Sequence, residues 1–68
     1  MSERLANRIK EEREKAALTQ AALAELVGVS RKTVNTVENG VFTPSATLAI
    51  KLAEALGVTV EQLFWIER

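Results

Sequence analysis

The chain has 68 residues, nine of them basic and nine acidic, with no cysteine and no histidine. That length supports one domain around one small core, and the missing thiols and imidazoles exclude a disulfide scaffold and the ordinary zinc, haem and iron–sulfur sites. Net charge is zero and evenly spread, with seven basic and six acidic groups in residues 1–40 and two and three in residues 41–68, so no tail of like charge marks a polyelectrolyte partner.

The N-terminal stretch "MSERLANRIKEEREK" is charged throughout and lacks the apolar core of a secretory signal. No segment approaches the ~18 uninterrupted apolar residues that span a bilayer. The expectation is a soluble, cytoplasmic protein that does not engage a membrane. In chain order, Ser2 is placed to cap a first helix in which Leu5, Ile9 and Ala16 share one face. Thr19 is the N-cap of a second helix with Leu23, Ala24 and Val27 on its apolar side. Gly28 suits the left-handed residue that ends it, and Ser30 caps a third.

The third helix contains "KTVNTV", rich in β-branched residues that favour strand on propensity alone. Val34 and Val37 stand three apart, which is helical spacing. "NGVFTP" (39–44) reads as a loop. Ser45, after the only proline, opens a fourth helix with Leu48, Ala49, Leu52 and Leu56 inward, and Gly57 stops it. "TVEQ" (59–62) has the spacing of a capping box and starts a short fifth helix, anchored by Val60, Leu63 and Phe64. Trp65 and Ile66 follow as consecutive large apolar residues. They either cover the monomer's core or bury themselves against another subunit.

Residues 19–39 have the organisation of a helix-turn-helix. Two helices joined through a short turn leave little space at their crossing, so a small residue, Ala24, stands one turn before the glycine that supplies the positive φ. Val29, Val34 and Val37 fill the core that the pair shares. With Val34 inward, 100° per residue places Lys32, Asn35, Thr36 and Asn39 on the opposite face. Arg31 opens the helix, where a side chain can reach base edges in the major groove. Arg31 suits bidentate bonding to guanine, and Lys32 does similar work with less geometric precision. Asn35 suits adenine, and the Thr36 methyl suits thymine. Ser30 and Thr33 are expected to donate to phosphates, although capping alone accounts for Ser30.

Arg13 and Glu38 are charges on apolar faces, each one turn beyond an inward residue (Ile9 and Val34). An unpaired charge at either place is costly, so a mutual, partly buried ion pair is expected.

Over essentially its whole length the chain resembles the Cro/C1-type (XRE) helix-turn-helix regulators. The matching words are "NRIKEEREKAALTQAALAELVGVSRKTV", "ENG", "TPSATLAIKLAEALGV" and "VEQLF". The resemblance implies an all-α, lambda-repressor-like bundle of about five helices, with a short C-terminal strand in some small members. It implies a homodimer on double-stranded DNA, with the third helix in the major groove. Residues 31, 32 and 36 match positions from which the family reads bases. Gln20 and Asn39 match positions that contact phosphates, and the Arg13–Glu38 pair is implied as well.

Small members of this family pair through their C-terminal segments. Here that segment is residues 63–68, with Leu63, Phe64, Trp65 and Ile66 expected at the interface. The whole chain, 1–68, then forms one domain acting as a transcriptional regulator, a repressor, on an inverted-repeat operator.

Catalysis is not expected. No glycine-rich phosphate loop and no serine with a base beside it is present, and no cofactor, metal or small-molecule effector is implied. The competing reading is a protein-interaction module, an antitoxin or adaptor on the same fold, with which zero net charge agrees.

Overall fold

A computed structural model describes residues 3–68. Its elements are β1 (Arg4–Asn7), α1 (Ile9–Lys15), α2 (Gln20–Val27), α3 (Arg31–Glu38), α4 (Ala46–Leu56), α5 (Val60–Leu63) and β2 (Phe64–Glu67). The helices begin where the capping residues stand. The side chains of Thr19, Ser30 and Ser45 accept from the backbone N–H groups of Ala22, Thr33 and Leu48. Thr59 and Gln62 close the reciprocal capping box of α5. Each cap satisfies a donor that a helix start leaves without an intrahelical partner.

The core is made by the inward stripes of these helices. Ile9, Leu23, Ala24, Val27, Val34, Val37, Leu52, Ala53, Leu63 and Phe64 are buried, with Leu5, Leu48, Ala49, Leu56 and Val60 packed against them. The β-branched "KTVNTV" stretch is helical because Val34 and Val37, 1% and 2% exposed, lie together inside. The burial of two valines outweighs a propensity difference of a few tenths of a kcal/mol per residue.

The N-terminus departs from expectation. Residues 4–7, read as the first turns of a helix, form a strand that pairs antiparallel with β2, in the register Arg4↔Glu67, Leu5↔Ile66, Ala6↔Trp65 and Asn7↔Phe64. The expected cap, Ser2, lies outside the described residues. Arg8 stands at the N-cap of α1 without a side-chain cap, and Asn7, the last residue of β1, accepts at its Oδ1 from Ile9 N–H at 3.0 Å. The reason for the difference is non-local: "FWIE" leaves α5 extended, and its unpaired backbone groups find partners in the segment beside it.

Ala16, expected inward, is exposed just past the end of α1. The next residue, Ala17, has φ 58°. There Leu18 N–H reaches Arg13 C=O at 3.0 Å and Ala17 N–H reaches Glu14 C=O at 3.0 Å. Gly28 closes α2 in the same pattern at φ 76°, so alanine occupies in one turn the left-handed conformation that glycine occupies in the other.

Candidate nucleic-acid interface

The turn between α2 and α3 is built from its neighbours. Gly28 N–H bonds Glu25 C=O at 3.3 Å and Val29 N–H bonds Ala24 C=O at 3.0 Å. Ala24 is 3% exposed beneath it, which lets the two helices approach. Ser30 Oγ then accepts from Thr33 N–H at 3.1 Å and shares a 3.0 Å hydrogen bond with the Thr33 hydroxyl. Both hydroxyls are therefore part of the helix start.

The outward face of α3 carries Arg31 and Lys32, both exposed and without an ion pair among the described residues. Asn35 and Thr36 are half-buried and Asn39 is exposed at the helix end. The Thr36 hydroxyl donates to Thr33 C=O at 3.0 Å, which engages its proton within the helix.

Behind this face lies a polar mount. Arg13 Nε donates to Glu38 Oε2 at 2.8 Å and its Nη2 donates to Oε1 at 3.2 Å. The remaining Nη1 donates to Leu18 C=O at 2.9 Å. The Arg13 and Glu38 side chains are only 12% and 5% exposed. The Glu38 hydrogen bond and charge raise the Arg13 pKa above its ordinary value, against the opposing effect of burial, so the guanidinium stays charged. A two-pronged pair of this kind positions as well as attracts, and here it fixes α3 relative to α1.

Gln20, at the start of α2, joins the same cluster. Its Nε2 donates to Glu38 Oε1 at 3.2 Å, and its Oε1 accepts from Asn35 Nδ2 at 3.3 Å. Asn39 Nδ2 donates to Asn35 Oδ1 at 3.3 Å.

One residue that sequence reasoning passed over, Asn7, completes the support. Its Nδ2 donates to Val37 C=O at 3.1 Å and lies 3.4 Å from Glu38 C=O, so it holds the last carbonyls of α3 from β1. The signal was an asparagine two residues before an apolar helix start.

Of the residues expected at a subunit contact, Leu63 and Phe64 are 0% and 6% exposed in the chain's own core. Trp65 and Ile66 are 37% and 45% exposed. The Arg8 guanidinium stacks 4.8 Å from the Trp65 ring centroid. Arg4 and Glu67 pair at 2.7 Å beside it.

Helix-cap-turn-helix geometry, a charge-locked second helix and an outward basic start define a helix-turn-helix domain. The helix-turn-helix family model matches residues 9–63, and the chain belongs to that family, in its Cro/C1-type (XRE) branch of DNA-binding transcriptional regulators. It is 41% identical over 61 residues to the HTH-type transcriptional regulator YgzD of Bacillus subtilis, spanning 90% of this chain and 92% of that protein. It is 52% identical over 54 residues to the antitoxin HigA-1 of Vibrio cholerae, spanning 78% of this chain but 48% of the antitoxin.

Among solved structures, the P22 c2 repressor in complex with a synthetic operator superposes with a TM-score of 0.77 at 31% identity, covering 79% of this chain and 82% of the repressor. A protein from Bacteroides fragilis superposes with a TM-score of 0.80 at 33% identity, covering 90% of this chain and 98% of that one. Among the described residues no helix is long and apolar enough to cross a membrane.

Proposed function

We propose that this regulator is a repressor that binds an inverted-repeat operator as a homodimer, its half-sites about one turn of DNA apart. The observation that carries the reading is the outward face of α3: Arg31 and Lys32, exposed and without an ion pair among the described residues, on a helix held from behind by the Arg13–Glu38 pair. Arg31 and Lys32 read base edges, and the Thr36 methyl meets a thymine methyl. Gln20, Asn39, Ser30 and Thr33 stand on the phosphate side. The N-termini of α2 and α4 add backbone N–H groups and about half a positive charge each.

An electrophoretic shift with random genomic fragments at low salt tests this. The wild type is expected to retard a subset of fragments. Arg31→Ala is expected to weaken binding by ~1–3 kcal/mol, the range of a bidentate base contact. No shift of any fragment by the wild type would sink the DNA reading. Because few side-chain cations face the backbone, the slope of log affinity against log salt should be shallow, at ~0.9 per neutralised phosphate.

The dimer is assigned to the C-terminal segment 63–68 through Trp65 and Ile66. Trp65→Ala is expected to weaken association by roughly 2 kcal/mol, as truncating a central aromatic anchor does. Sedimentation should then move towards monomer; an unchanged dimer would refute the assignment. The likeness to an antitoxin supports a second reading, in which a protein partner binds this fold. Arg31→Ala discriminates the two, because a protein-binding module has no need of that side chain.

A further inference from the structure

Glu38 does more than neutralise Arg13. A carboxylate only accepts hydrogen bonds, so the Gln20 group 3.2 Å from Glu38 Oε1 must be its NH2 end. That choice turns the Gln20 carbonyl oxygen towards Asn35, 3.3 Å away, which must answer with its own NH2. The Asn35 carbonyl oxygen then faces Asn39, whose NH2 donates to it at 3.3 Å. Reversing the chain at any link would set two oxygens or two NH2 groups against each other.

We propose that the Glu38 carboxylate locks Gln20, Asn35 and Asn39 into one donor-first orientation, making Asn35 a positioning residue rather than a reader of adenine. The links are long for amide hydrogen bonds, so their contribution is direction more than stability. Bidentate recognition of adenine needs a carbonyl oxygen to accept from N6 as well as an NH2 to donate to N7. One of the two lone pairs of the Asn35 oxygen already accepts from Asn39, and with the NH2 end held by Gln20 the amide cannot turn freely onto an adenine edge without breaking a link of the row. What each of the three amides retains is a second N–H with no partner among the described residues. The ligand chemistry that fits such a row is acceptor-only: phosphate oxygens first, and purine N7 or guanine O6 where a base edge comes close. This deepens the DNA reading and rests on it, but the relay itself exists in the free protein and can be tested there.

The test follows the Asn39 side-chain NH2 resonances by 15N NMR in the protein without DNA. Gln20→Ala is expected to displace them, although Gln20 does not touch Asn39, because Asn35 is released to turn. In an Asn35→Ala background the same Gln20→Ala change should leave them in place. An Asn39 signal indifferent to Gln20→Ala, or displaced equally with and without Asn35, overturns the relay.

A thermal melt gives a second measure. Asn35→Asp sets a carboxylate oxygen against the Gln20 oxygen and should melt lower than Asn35→Ala, and equal melting would overturn the locked orientation. On DNA, Asn35→Ala should lower affinity roughly fivefold at every selected site, as loss of one hydrogen bond does. Loss of preference at one adenine position alone would show Asn35 to be a reader and overturn its positioning role. If the wild type binds no DNA, the DNA reading falls and the NMR result alone decides the relay.

Discussion

The helix-turn-helix unit and the terminal sheet satisfy their backbones by opposite means. In α2 and α3 each end is closed by a residue a few positions away: Thr19 and Ser30 at the starts, Gly28 and its neighbours at the turn. In the sheet, Arg4 meets Glu67 across 63 positions of chain. A local cap forms whenever its helix forms, whereas a distant strand pair must wait until the core has already brought the ends together. The ends of α2 and α3 are therefore closed by their own neighbourhood, whereas the sheet is closed only by the rest of the fold.

The strongest way to break this contrast is to remove a long-range tie that the helix-turn-helix itself needs. Arg13→Ala leaves Glu38, 5% exposed, without its cation. Breaking a buried pair in this way costs ~3–5 kcal/mol. A domain of this size commonly has roughly 3–10 kcal/mol in all. Urea unfolding should show most of the stability gone, with Glu38→Ala and Arg13→Ala falling far short of additive in the double variant. Additive losses would mean that the two charges act independently.

Asn7 joins the two regions and sharpens the comparison at intermediate size. Asn7→Ala removes the bonds to Val37 C=O and from Ile9 N–H, for an expected loss of about 1–2 kcal/mol. At ~4–8 °C per kcal/mol for a domain of this length, thermal melting resolves it easily. A melt indistinguishable from wild type would mean that β1 does not support α3.

The smallest effect lies at Ala17. Relief of the left-handed strain is worth ~1–2 kcal/mol and the added backbone freedom of glycine takes back ~0.5–1. Ala17→Gly should thus stabilise by about 0.5 kcal/mol, a slight rise in melting temperature. A fall would show that Ala17 is not strained in the folded chain.

Much of the fold was legible because helix starts, stops and apolar stripes are written within a few residues of where they act. Thr19, Ser30, Ser45 and the Thr59–Gln62 box are cap residues whose partners lie three positions on. The inward positions of Val34 and Val37 follow from the helical period. Arg13 and Glu38 were legible for a different reason: each is a charge on an apolar stripe, and the cost of burying it alone demands a partner.

What sequence could not show was which backbone would meet "FWIE", since strand pairing depends on two segments being brought together and neither carries the other's address. For the same reason Asn35 looked like a free outward amide. Only the packed structure placed Gln20 and Asn39 on either side of it and engaged both its ends. Local chemistry determined the helices and the face that α3 turns outward. Tertiary packing determined the β1–β2 pairing, the enclosure of Leu63 and Phe64, and the direction of the amide chain, because each of these depends on distances between residues far apart in the chain.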